Sequence, residues 1–328
     1  MDIALTKKVL LNKRLLGVEK ISLIYSFLTA ILIVCLYPRM DHPMQMLVER
    51  LAIVGITLAL VFIGSWWPSK FTTLVRVAFQ MSLLSYWYPD TYEFNRLFDN
   101  LDHVFASWEQ SLIGFQPAIT FRVNFSDISW SEAFNLGYFA YYPMIGLVVF
   151  MYFFKRFQEF TKVAYILVGA FFLYYFIYIF LPVVGPQYYF PAIGFDNVLN
   201  GVFPAVGDYF DHSQELLPNT GCDQGIFYEL VESSQAAGER PTAAFPSSHV
   251  GISTIIMILI WRISRTTFGA LFPFYVLLCG ATVYIQAHYL IDVFAGWVTA
   301  FPIYGVVLWS YNKWFKQSES KLMAFSSK

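Results

Sequence analysis

The sequence predicts an all-α fold, a polytopic membrane helix bundle of about eight transmembrane helices, with six as the alternative count and both termini cytoplasmic. Three observations lead there. Of the 328 residues, 57% are hydrophobic and only 13% charged, against roughly 25% charged residues in soluble domains. Apolar runs recur at the length of about 20 residues that a bilayer core demands. Lys and Arg collect in alternate connecting segments, as cytoplasmic loops do.

The apolar runs lie near 21–38, 47–67, 70–89, 134–154, 163–182, 248–266, 269–288 and 290–312. The third is interrupted by Arg76, Gln80 and Ser82, and a six-span chain is the alternative. The first follows Lys7, Lys8, Lys13, Arg14 and Lys20 and has no small-residue cleavage site at its end, so it reads as a retained span. With the N-terminus inside, the inner segments hold sixteen of the twenty-one Lys and Arg. Eighteen of the twenty-two acids fall on the other side or at its boundary. Between the spans, 92–116 sets Phe94, Leu97, Phe98, Leu101, Val104 and Phe105 at helical spacing against an acidic face. That pattern reads as a helix lying in the outer interface, its stripe a packing surface. The stretch 183–245 has no twenty-residue apolar run and lies on the same outer side. Three regions follow: N-terminal transmembrane helices at 1–90, an outer-face interfacial helix and loop at 91–133, and a catalytic membrane domain at 134–328.

Charge and cysteine narrow the function classes. A net charge of −1 and the absence of a basic stripe argue against nucleic acid as a partner. No protein partner is evident either. Cys35 and Cys279 sit in apolar runs and Cys222 stands alone in a polar stretch, which gives neither a disulfide framework nor a metal spacing. The Asn124-Phe125-Ser126 sequon lies on the outer side and matters only in a compartment that glycosylates.

Chemistry concentrates in Phe245-Pro246-Ser247-Ser248-His249 and His288-Tyr289-Leu290-Ile291-Asp292. Ionisable groups at the ends of apolar stretches are costly and point to function. From His249 the chain crosses to Arg262 and Arg265 and returns to His288, so both histidines reach one membrane face. His288 and Asp292 are four residues apart, which on a helix sets them on one face, where the carboxylate can orient the imidazole. Pro246 can start a helix whose Ser247 and Ser248 offer donors to an anion. These parts suit phosphoryl transfer through a phosphohistidine. His288 serves as nucleophile, Asp292 as its orienter and His249 as general acid. Arg240 and the Gly185-Pro186-Gln187-Tyr188-Tyr189 segment are the further candidates for substrate binding. The other reading of two His and one Asp is a zinc site, and of Gly185-Pro186 a helix stop. No metal or other cofactor is expected. His42, His103 and His212, each single, read as ordinary span-end or loop residues.

The two motifs, with histidines 39 residues apart, resemble the second and third signatures of the type 2 phosphatidic acid phosphatase superfamily. The resemblance implies the same roles for His288, Asp292 and His249. The surroundings Ala243-Ala244-Phe245-Pro246-Ser247-Ser248-His249-Val250-Gly251, Leu181-Pro182-Val183-Val184-Gly185-Pro186 and Glu132-Ala133-Phe134-Asn135-Leu136-Gly137-Tyr138 are closer to its inositol phosphorylceramide synthase branch. That branch implies an enzyme of sphingolipid metabolism, an inositolphosphotransferase acting between phosphatidylinositol and a ceramide-like acceptor at the non-cytoplasmic face of a cell membrane. The alternatives are a lipid phosphatase acting on phosphatidate or a polyprenyl diphosphate, and a lipid-binding or flipping protein with a degenerate site. The chain departs from the superfamily pattern in two places. Ser233 stands where the first signature has a lysine relative to Arg240-Pro241, and Ala281 and Thr282 stand where the third has Ser-Arg.

Overall fold

Apolar helices account for the architecture, as expected of a chain whose backbone polar groups must be satisfied without water. The computed structural model describes residues 15–216 and 224–317. Lys7, Lys8, Lys13, Arg14, Cys222, Lys321 and Lys328 lie outside the described residues. Among the described residues there is no strand. Six helices are long and apolar enough to cross a membrane: Gly17–Arg39, Pro43–Trp66, Ile128–Lys155, Phe157–Phe180, Arg265–Tyr284 and Leu290–Trp314. The protein is therefore a multi-pass membrane protein. Ser248–Ile263 is a shorter apolar helix of 16 residues.

The chain divides into two compact units, one drawn from residues 1–86, 149–172 and 303–328, the other from 87–148 and 173–302. In the first, the expected span at 70–89 is not one helix. It breaks into Lys70–Ser82 and Leu84–Asp90. Arg76 and Gln80 lie within the first piece and are buried, each serving a partner. Arg76 forms a bidentate pair with Glu19, and the Gln80 amide donates to Thr57 Oγ1 at 3.1 Å. Ser69 starts the helix by accepting from the Thr72 amide, a standard cap.

The second unit holds every motif residue. The stretch 92–116, expected as a single interfacial helix, is not one helix: Tyr92–Asn95 and Asp102–Ile113 are separated by a turn, and Pro117–Asn124 follows. Its acidic face does not look outward. Asp102, Phe105, Ala106 and Glu109, at helical spacing, form the buried stripe of Asp102–Ile113. The stretch 183–245 carries short helices at Pro186–Ile193, Phe195–Leu199, Tyr209–His212 and Ile226–Gly238. Ser264 turns Ser248–Ile263 into Arg265–Tyr284 by accepting from the Thr267 amide. Helix Ile128–Phe139 lies so close to Arg265–Tyr284 that a Cβ on Gly137 would come within 2.6 Å of Leu277 Cβ.

Candidate active site

His288 stands in the turn between two apolar helices. Arg265–Tyr284 ends, Gln286 takes a left-handed φ of 65°, and Leu290–Trp314 begins two residues after His288. The expectation that His288 and Asp292 share a helix face and a direct hydrogen bond is corrected here. His288 precedes the helix, and its Nδ1 lies 3.6 Å from Asp292 Oδ2, beyond hydrogen-bond range. The carboxylate is engaged elsewhere, since Oδ2 accepts from the Tyr289 amide at 2.8 Å. The ring is held instead by the Ala244 carbonyl, 2.7 Å from Nδ1. A carbonyl only accepts, so that bond assigns the proton to Nδ1 and leaves the lone pair on Nε2. Burial lowers the His288 pKa to about 4, against a smaller upward pull from the Ala244 carbonyl and from Glu239. At neutral pH His288 is an uncharged imidazole, the form that attacks phosphorus.

His249 is the second residue of Ser248–Ile263. Its ring lies 4.8 Å from Tyr138 and 4.6 Å from Tyr141, and 5.7 Å from the His288 ring in an edge-on arrangement. The structure thus brings together all three residues that the motifs singled out. Several polar atoms here are buried and without a hydrogen-bond partner: His249 Nδ1, Asp292 Oδ1, the Tyr141 hydroxyl, and the hydroxyl of Thr242 two residues before Ala244. Buried polar atoms usually have a partner, protein or water, and these offer both donors and acceptors.

The flanking candidates divide. Ser247 Oγ accepts from the Val250 amide at 3.4 Å, the Ser247 amide donates to the Asp292 carbonyl at 3.1 Å, and the Ser248 amide donates to the Tyr178 hydroxyl at 2.9 Å. These groups start the helix and join it to the turn carrying Asp292. Gly185 has φ 91°, and a Cβ there would come 2.5 Å from the Ala287 carbonyl oxygen. Only glycine permits so close an approach to the residue before His288. The segment is joined to that turn by the Gln187 amide, which donates to the Gln286 carbonyl at 2.9 Å. Pro186 opens helix Pro186–Ile193, and Pro186, Gln187 and Tyr188 are buried. The Gln187 side chain donates to Glu239 Oε1 at 3.4 Å. The Arg240 guanidinium donates to the Glu239 carbonyl at 2.8 Å.

Three carboxyls escaped the sequence reading. Glu239 accepts from the Tyr88 hydroxyl at 3.1 Å and lies within electrostatic reach of His288; burial raises its pKa. Its position beside Arg240-Pro241 was the available signal. Asp102 and Glu109 lie on the helix read as an outward acidic face. Asp102 accepts from the Val184 amide, the Gly185 amide and the Tyr289 hydroxyl at 2.7, 2.9 and 2.9 Å. Glu109 Oε1 accepts from the amides of Leu290 and Ile291. Two acids seven apart, with Phe105 and Ala106 between them, is the pattern that marks them. Among the described residues no group of three or more His, Cys, Asp or Glu side chains is arranged to hold a metal ion.

A family model described as the PAP2 superfamily matches residues 103–306, more than half of the chain. The chain belongs to the PAP2 superfamily. Members of the PAP2 superfamily are phosphatases or phosphotransferases acting on lipids, a class that fits two histidines facing each other in a membrane protein. Comparison with curated proteins and with solved structures gave no match. The PAP2 match begins at His103 and so takes in nearly all of the Asp102–Ile113 helix along with both histidine motifs.

Proposed function

We propose that this PAP2-superfamily protein is a lipid phosphotransferase that moves phosphoinositol from phosphatidylinositol to the hydroxyl of a ceramide-like acceptor. The observation that carries the reading is the 2.7 Å bond from His288 Nδ1 to the Ala244 carbonyl, which leaves Nε2 as a nucleophile. In the first step Nε2 attacks phosphorus, the bond from phosphorus to the diacylglycerol oxygen breaks, and His249 gives that oxygen its proton. In the second, the acceptor hydroxyl gives its proton to His249, its oxygen attacks phosphorus, and the phosphorus–nitrogen bond breaks. Asp292 Oδ2, 3.6 Å from Nδ1, stands where it can stabilise charge that develops on the ring, and the hydroxyls of Tyr141 and Thr242 are the donors suited to phosphoryl oxygens.

Two observations favour transfer between lipids over hydrolysis of a phosphomonoester. His288 is 3% exposed and Asp292 fully buried, and the aromatic rings of Tyr138 and Tyr141 flank His249. Such an enclosure disfavours water as the second acceptor. The guanidinium of Arg240 is directed to a backbone carbonyl, and the superfamily's lysine position holds Ser233. A site thin in cations suits a singly charged phosphodiester better than a dianion or a diphosphate. The choice of head group and acceptor rests on the sequence resemblance around Ala243–Gly251 and Leu181–Pro186. The site's assignment to the non-cytoplasmic face rests on the distribution of Lys and Arg.

Purified protein in mixed micelles with phosphatidylinositol, with and without ceramide, tests the reading when the products are resolved by mass spectrometry. Inositol phosphorylceramide formed only with ceramide, together with diacylglycerol, is the expected result. Free phosphate released from phosphatidate or a polyprenyl diphosphate without an acceptor lipid replaces it with a phosphatase. Lipid binding that persists with no product in any mixture points to the binding or flipping protein.

A further inference from the structure

In the helix that follows His288, Asp292 reaches back to the Tyr289 amide, but no side chain of the residue before the helix serves its first amides. The residue before Leu290 is Tyr289, whose hydroxyl is committed to Asp102 Oδ1 at 2.9 Å. The first amides of Leu290–Trp314 therefore need an acceptor from elsewhere. Glu109 supplies it across the sequence: its Oε1 accepts from the Leu290 amide at 2.6 Å and from the Ile291 amide at 3.3 Å. Asp102 and Glu109 lie about 10 Å apart along one helix face, from the rise of 1.5 Å per residue. Both are fully buried. One helix thus grips the two residues immediately after His288, Tyr289 by its hydroxyl and Leu290 by its amide. On its far side Asp102 also takes the amides of Val184 and Gly185, which belong to the turn packed on Ala287.

We propose that Glu109, with Asp102 beside it, is a positioning residue for the nucleophile: it fixes where the His288 turn leaves its helix, and so the distance of His288 Nε2 from the bound phosphorus. The Glu109 side chain touches neither histidine, and its action passes through the backbone amides of Leu290 and Ile291. What matters is the reach of its oxygen, more than its charge. Burial, with Asp292 close by, pushes Glu109 up to about 8, so near neutral pH an uncharged acceptor of the same length is its nearest mimic. Its second oxygen, Oε2, is buried without a partner, so both bonds to the turn pass through Oε1.

The inference rests on His288 being the nucleophile, and the test separates the two. Full-length wild type, Glu109→Gln, Glu109→Asp and Glu109→Ala are purified in detergent. Orthovanadate, which adopts the trigonal bipyramid of phosphoryl transfer, is titrated into each, and kcat and KM are measured on the lipid pair the wild type uses. Gln keeps the reach and removes the ionisable carboxyl, whereas Asp keeps the carboxyl and shortens the reach. The expected order in kcat and in vanadate affinity is wild type, then Gln within about threefold, then Asp and Ala. The last two should lose about tenfold to a hundredfold in kcat with KM nearly unchanged, the scale set by a misplacement near 1 Å. Asp matching or exceeding Gln overturns the proposal, as does Ala with wild-type kcat and vanadate affinity. Should Ala fail to fold, the Gln and Asp pair decides alone. A wild type that does not bind vanadate removes the phosphohistidine reading itself, and this inference falls with it. Vanadate bound equally by all four proteins removes only the role of Glu109.

Discussion

Glu19 with Arg76, and His288 with Asp292, are both buried pairs of a base and an acid, and they are built in opposite ways. In the first pair every carboxylate oxygen is used. Arg76 Nε and Nη2 each lie 2.7 Å from a Glu19 oxygen, and Oε2 also accepts from the Leu16 amide at 2.7 Å. In the second, the two side chains stand 3.6 Å apart, the ring bonds to a carbonyl, and Asp292 Oδ1 has no partner. Both arrangements bear the cost of taking ionisable groups out of water, but only the first recovers it in a closed ion pair. The closed pair belongs to holding helices together. The open one, with His249 Nδ1 and the Tyr141 hydroxyl equally without a protein partner, keeps polar atoms available for bonds outside the pair.

Breaking each pair sharpens that contrast. The largest effect is expected from His288→Ala, which removes the proposed nucleophile and should cut turnover at least about a thousandfold, as loss of such a group does elsewhere. Asp292→Asn should cost less, about a hundredfold, because the Ala244 carbonyl continues to hold the ring. Steady-state kinetics on folded protein checks both, and near-normal turnover in His288→Ala would end the mechanism. Next, Arg76→Ala should cost about 3–5 kcal/mol of stability by stranding a buried carboxylate. Turnover per folded molecule should stay near wild type. Replacing both partners, Glu19→Leu with Arg76→Met, should recover most of that loss in a thermal or denaturant melt. A melt unchanged in Arg76→Ala would mean the closed pair is not structural.

The smallest effect concerns pH. Because burial lowers His288 to about 4, protonation should quench the Nε2 lone pair only as pH falls towards that value. The acid limb of kcat/KM should therefore stay level from neutrality to about pH 5 and then drop. An acid limb at the ordinary histidine value near 6.5 would indicate a solvated ring, and with it a site open to water.

Much of this protein was legible in its residues alone. Composition and the length of the apolar runs called for a multi-pass helical chain, and the lower of the two span counts is the one the long helices meet. The histidine motifs identified His249, His288 and Asp292, because ionisable groups beside apolar helices carry a cost that local sequence displays. Partners distant along the chain were not legible. Arg76 and Gln80 interrupted a span for reasons that lie in Glu19 and Thr57. Four-residue spacing suggested a helical bond between His288 and Asp292, whereas the helix starts at Leu290 and the ring turns to Ala244, 44 residues away. The acids of Asp102–Ile113 read as a wet face because charge is normally exposed. Folding buries them against the amides and hydroxyl of the Tyr289–Ile291 turn. Periodicity reports which side chains share a face, and by itself it determined the helices, while the two motifs determined the candidate site residues. Whether a polar face meets water or another segment's unpaired amides depends on what packs there, and that only the tertiary structure decided.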